Sequence, residues 1–134
     1  MCIRDSLKHQ SAQLLVEVPA ELTVLVRSDA LLRVLMNLVR NAVDHGEPGV
    51  QVSIRAKSAP NGMAEIRVSD NGPGVPEDVR PRIFQPFERG HARSKGTGLG
   101  LAICKRLIEN AGGEISLEPD SQDGACFRFT LPQA

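Results

Sequence analysis

The sequence predicts an α/β (α+β) two-layer sandwich: a mixed, largely antiparallel sheet with helices covering one face. Three observations carry this. Several short segments alternate apolar and polar residues one by one, the pattern of strands with one buried face. Two longer segments switch to helical spacing. The length of 134 residues suits one compact domain and leaves little room for a second.

Met1 to Gln10 has no useful periodicity and reads as a loose lead-in, an arbitrary truncation point or a junction, so the domain is expected over residues 13–134. Leu14, Val16 and Val18 suggest a first strand; Leu22, Val24 and Val26 suggest a second, with Pro19 marking the turn between them. Asp29 is a plausible N-cap for a helix from Ala30 to His45, whose apolar arc is Leu31, Leu35, Leu38 and Ala42 with Leu32 and Val39. Gly46 and Pro48 stand where a helix stop is expected. Val50, Val52, Ile54 and Ala56 form one strand and Ala64, Ile66 and Val68 the next, joined by Pro60-Asn61-Gly62. Residues 71–98 are rich in Gly, Pro and Arg, and a connection of that length in a small domain is usually a lid or binding loop. A second helix is predicted from about Leu99 to Ala111, with Leu101, Cys104, Ile108 and Ala111 on one face and Gly112-Gly113 ending it. Ile115 and Leu117, then Ala125, Phe127, Phe129 and Leu131, supply two closing strands.

Composition excludes several function classes. Lys plus Arg equals Asp plus Glu at 16 each, so no global field favours nucleic acid or a membrane surface. With no Trp or Tyr and four Phe, stacking-based binding of single strands is disfavoured. Cys2, Cys104 and Cys126 are odd in number and widely spaced, which argues against zinc and a disulfide framework and suits a reducing, cytoplasmic setting. No apolar run reaches about 18 residues, so no membrane contact is expected.

Three clusters could do chemistry. Asn37 and Asn41, four apart, stand on one helical face with Asp44 and His45 beside them. An amphipathic helix carries polar residues there in any case, but two poor helix formers at that spacing ask for a reason, and amide oxygens are hard ligands suited to Mg²⁺. Asp70 shares parity with Ile66 and Val68, so its carboxylate leaves the strand on the core side and needs a donor there, such as the exocyclic amino group of a purine. Gly72 and Gly74 follow, allowing a sharp turn and a close backbone approach; the plainer alternative is an ordinary Asp-Asn-Gly turn. Gly96-Thr97-Gly98-Leu99-Gly100-Leu101 opens the second helix, an anion cradle by nature, and its spacing matches neither the P-loop nor GxGxxG. Between these lie Phe84, Phe87, Arg89, Arg93 and Lys95, apolar clips and cations within reach of phosphates, or simply a solvated loop.

In order and spacing, Leu31–His45 (LLRVLMNLVRNAVDH), Asp70–Gly74 (DNGPG), Ile83–Arg89 (IFQPFER) and Gly96–Ile103 (GTGLGLAI) resemble the N, G1, F and G2 boxes of the histidine kinase catalytic domain. That domain is a branch of the GHKL superfamily, which also holds gyrase B, MutL and the large heat-shock chaperone. The resemblance spans roughly residues 14–132 and implies the Bergerat ATP-binding fold, with ATP and Mg²⁺ as ligands. It implies that Asn41 holds Mg²⁺ on the phosphates, with Asn37 the motif's earlier Asn, and that Asp70 reads the adenine amino group. Gly72 and Gly74 would bring backbone against the base, and Phe84, Phe87, Arg89 and Lys95 would belong to the lid. Gly96, Thr97, Gly98, Leu99 and Gly100 would form the phosphate turn, and His45 would contact nucleotide. Asn41 and Arg89 are then the implied catalytic residues. Asp44 departs from the pattern, standing where many members place Lys or Arg.

The resemblance implies two partners, a phosphoacceptor histidine on a dimerising helical hairpin and a response regulator. His9 lacks an H-box context and reads as a bystander, so the acceptor is expected elsewhere. Three rivals remain: a GHKL ATPase, which needs a general-base Glu that Leu31–His45 lacks; an anti-sigma serine kinase; and a degenerate regulatory domain.

Overall fold

The computed structural model describes residues 13–45, 49–72, 74–85, 100–118 and 124–134. Strand β1 (Gln13–Glu17) leads to helix α1 (Ser28–His45), then β2 (Gln51–Ala59), β3 (Met63–Asp70), helix α2 (Gly100–Asn110), β4 (Ile115–Leu117) and β5 (Cys126–Pro132). The five strands lie in the order β1-β2-β3-β5-β4. β1 runs parallel to β2, and every other neighbouring pair is antiparallel. This is the mixed, largely antiparallel sheet that the alternation predicted.

Parity decides which side of the sheet is dry. Val52, Ile54, Ala64, Ile66, Val68, Phe127, Phe129 and Leu131 point to one face and are buried there. Val34, Leu38, Val39 and Ala42 of α1 and Leu101, Cys104 and Ile108 of α2 close over them in a single core. The intervening residues face outward: Lys57 pairs with Glu65, Arg67 with Arg128, and Ser69 with Cys126. The hairpin between β2 and β3 turns through a short 3₁₀ stretch, Pro60–Gly62, with Asn61 at φ 66°.

Several sequence expectations need correction. Val16 and Val18 are exposed, at 49% and 44%, because β1 lies at the edge of the sheet, and Leu32 of the expected apolar arc is exposed at 46%. Residues 22–26 do not form a strand; they make one isolated bridge, Val24 to Gln133, as the chain crosses from β1 to α1. Their alternation still packs Leu22, Val24 and Val26 against the core, because a period of two reports burial and not a ladder. Helix α1 starts at Ser28, so Asp29 lies in its first turn instead of capping it. There its carboxylate pairs with Arg27 at 3.2 Å. Among the described residues, no helix is long and apolar enough to cross a membrane.

Candidate functional site

Of the predicted clusters' described residues, chain direction carries Asp70 and Gly100 towards one end of the sheet, with Asn37 beside Gly100. The segment entering α1 is tied to the far end of β5, with Leu25 N–H donating to the Pro132 carbonyl at 2.8 Å. From there α1 runs back across the sheet, about 27 Å for its 18 residues. Helix α2 does the same in reverse. It ends near Glu114, whose carbonyl accepts the Thr130 N–H at 2.9 Å, so its first turn overlies the start of β5. β3 is antiparallel to β5, which puts Asp70, its last residue, beside Ala125 at that same end. The two helices meet there: Asn37 Nδ2 donates to the Gly100 carbonyl at 3.5 Å.

The Asp70 carboxylate is bound by backbone groups at that end. Its Oδ1 accepts from Gly72 N–H at 2.9 Å and from Ala125 N–H at 3.3 Å, while Asp70 N–H donates to the Ala125 carbonyl at 2.9 Å. Asn71 staples the same turn to β2, its Oδ1 accepting from Gln51 N–H at 2.8 Å and its own N–H donating to the Gln51 carbonyl at 3.2 Å. Asp70 is therefore held in place by backbone donors, as a half-buried carboxylate requires.

Gly124 makes that arrangement possible. It adopts φ 124°, and a Cβ there would collide with the Asp70 carbonyl oxygen and lie 2.8 Å from Asp70 Oδ1. Gly74, at φ 82°, rests on Gly124 in turn: a Cβ would come within 3.3 Å of the Gly124 carbonyl oxygen. Sequence reasoning missed Gly124 and Ala125. The available signal was a glycine directly before the alternating strand Phe127, Phe129, Leu131.

On α1, Asn37, Asn41 and Asp44 are all half-buried. Asn37 also adjoins Cys104, a fully buried thiol that lies 3.7 Å from the Val34 carbonyl. Burial pushes that thiol up to about 11, the Asn37 amide opposing the rise. Below the turn, Ile83 is buried and Phe84 meets Phe127 edge-on, ring centroids 6.0 Å apart at 77°. Such pairs add about 1 kcal/mol beyond area burial. His45 closes α1, but its side chain lies outside the described residues, as do Phe87, Arg89, Lys95, Gly96, Thr97, Gly98 and Leu99. Of the predicted phosphate turn, Gly100 is described, as the first residue of α2.

Residues 26–134 match the family model described as histidine kinase-, DNA gyrase B- and HSP90-like ATPase. The adaptive-response sensory kinase SasA of Rippkaea orientalis is 32% identical, aligned over 96% of this chain and 34% of its own length. The signal transduction histidine-protein kinase AfsQ2 of Streptomyces coelicolor is 44% identical over 75% of the chain and 19% of its own length. The chain thus spans about a third or less of these relatives. Among solved structures, a mycobacterial sensor histidine kinase, MprB, superposes with a TM-score of 0.81 at 30% identity, covering 98% of this chain and 93% of that one. Full-length ShkA in complex with AMPPNP superposes with a TM-score of 0.82 at 30% identity, covering 98% of this chain and 28% of that one. Matched in fold and across most of its length, the chain belongs to the histidine kinase-, DNA gyrase B- and HSP90-like ATPase family, as the ATP-binding catalytic domain of a sensor histidine kinase.

Proposed function

We propose that this domain binds ATP with Mg²⁺ where α1, α2 and the end of β3 converge. We further propose that it donates the γ-phosphoryl to a histidine on a phosphoacceptor hairpin, in the parent protein or in trans, with a response regulator receiving it next. The setting we propose is cytoplasmic. The observation that carries the reading is the Asp70 carboxylate, oriented by two backbone N–H groups at 2.9 and 3.3 Å. A carboxylate fixed in this way can accept from an adenine amino group without reorganising. Gly74 packs backbone against backbone on Gly124, which fixes the chain just beyond Asp70.

Asn41, half-buried one turn beyond Asn37, offers an amide oxygen of the kind Mg²⁺ accepts. Bound there, Mg²⁺ would neutralise phosphate charge, which with positioning is most of what phosphoryl transfer needs. Asn37 holds the start of α2 against α1 and so sets where that helix offers its N–H groups. Phe84, and by the resemblance Phe87 and Arg89, would secure the lid.

A calorimetric titration with ADP and ATP, with and without Mg²⁺, tests the site. Wild type should bind with Mg²⁺ dependence, Asn41→Ala should lose that dependence, and Asp70→Asn should lose binding. Adding a separate hairpin bearing an H box then tests transfer. A degenerate regulatory domain is the second reading, favoured by Asp44 where related kinases place a cation. A folded wild type that binds no nucleotide at millimolar concentration would establish it.

A further inference from the structure

The segment from Gly74 to Gln85 is a ledge of tight turns. Val79 and Arg80 N–H both donate to the Pro76 carbonyl, at 3.0 and 3.1 Å, and Arg82 and Gln85 N–H reach back to Val79 and Arg82, each at 3.0 Å. Val79 and Ile83 sink into the core from its underside. These apolar contacts hold the ledge down, but they are non-directional and supply no hydrogen bond of their own.

Arg80 supplies a directional tie. Its guanidinium Nη2 donates to the backbone carbonyl of Glu118, just past the end of β4. Glu118 is itself tied to β5 and faces β3. Its N–H donates to the Cys126 carbonyl at 2.8 Å, and its carboxylate faces Arg67 at 3.5 Å and Arg128 at 3.9 Å. The anchor is thus a carbonyl held by β3 and β5 together, on the hairpin arm opposite Gly124.

We propose that Arg80 is a positioning residue of the nucleotide site: by mooring the ledge to Glu118 it holds Gly74 against Gly124 and the Asp70 carboxylate. This rests on the ATP-binding reading above. The expected effect falls on the base end of the ligand and leaves the phosphate end alone, because Arg80 acts through the turn at Gly74 and not through Asn41.

The test is a titration of wild type, Arg80→Ala, Arg80→Lys and Glu118→Gln with ADP and with ATP-Mg²⁺, alongside thermal unfolding without nucleotide. Arg80→Ala should weaken ADP and ATP by the same factor, about tenfold for one lost charge-assisted hydrogen bond. Its Mg²⁺ dependence should be unchanged, and its unliganded Tm should fall by less than about 4 °C. Arg80→Lys, which keeps a cationic donor, should recover most of the affinity. Glu118→Gln, which loosens the anchor, should cost about threefold. Wild-type affinity in Arg80→Ala would overturn the proposal, as would a loss that Arg80→Lys does not repair and that tracks a large fall in Tm. If wild type binds no nucleotide, the ATP reading fails and this inference falls with it; wild-type binding with an indifferent Arg80→Ala sinks the inference alone.

Discussion

On the inner face of the sheet Phe127, Phe129, Val68 and Ile54 are shut away beneath two helices. On the outer face of the same strands Glu65 is just as inaccessible, at 6% exposure, and arginine and lysine side chains surround it. Arg128 Nε reaches its Oε1 at 2.6 Å and Arg67 Nη2 at 2.9 Å, and Lys57 stands 3.6 Å from Oε2. One face is dry because apolar side chains interlock. The other is covered by the stems of long cations laid across a carboxylate, with water close behind them. The difference teaches that burial and stability part company here. Packing on the inner face should be worth several kcal/mol per side chain, whereas each outer pairing is screened and its partners are partly exposed.

Phe129→Ala should break the inner face most severely, with a loss of about 3–5 kcal/mol in urea unfolding, since a fully buried ring leaves a cavity that two helices cannot fill. A loss below 1 kcal/mol would mean the core is loosely packed. Gly124→Ala comes next, at about 2–3 kcal/mol, because φ 124° and the Asp70 carbonyl oxygen both oppose a methyl group. It should also abolish nucleotide binding, read in the same titration as the wild type. Glu65→Ala should cost about 1–2 kcal/mol, between an exposed pair and a deeply buried one. Were it to match Phe129→Ala, the outer face would be a second core and the contrast would fail.

Two smaller effects sharpen the comparison through pH. Burial by itself would raise the Glu65 carboxyl, but hydrogen bonds from Arg128 and Arg67, with their charges, outweigh it and hold the group below its ordinary 4.5. The folded state therefore binds this proton less tightly than the unfolded chain does. The contribution is complete above the ordinary value and disappears as pH falls through the lower folded one. Glu65→Gln should accordingly flatten the acid limb of a stability–pH curve, and an unchanged limb would remove Glu65 from the account. On the inner side the sign reverses. Burial raises the Cys104 thiol from 9.0 to about 11, so its contribution is intact below 9 and is lost as pH climbs towards 11. At neutral pH a thiol reagent should label half-buried Cys126 in the native protein and reach Cys104 only on unfolding.

Much of this fold was legible in the sequence. The parity of residues 50–57, 64–70 and 125–131 named the buried face correctly, because side-chain direction in a strand depends on the local backbone alone. The two helices were legible for the same reason, through the spacing of Leu31, Leu35, Leu38 and Ala42 and of Leu101, Cys104 and Ile108. Residues 22–26 show where local reading stops: their alternation is genuine, yet one bridge to Gln133 replaces the expected ladder. Pairing needs a partner, and the partner lies more than a hundred residues away. The site divides similarly. Asp70, Gly72 and Gly74 could be singled out from a strand end and its turn, but Gly124 and Ala125, which hold Asp70, carried no local mark beyond a glycine before a strand.

The sequence by itself determined most of the strands and both helices, the face that β2, β3 and β5 present to the core, the order of the four motifs and hence the family. Tertiary structure alone decided that Asn37 reaches Gly100 across 63 positions, that Ala125 and Gly124 close around Asp70, and that Arg80 ties the ledge to Glu118. The reason is physical. Periodicity and turn chemistry follow from backbone geometry within a few residues, whereas a hydrogen bond between distant segments exists only after strand register and helix direction have carried its two ends to the same place.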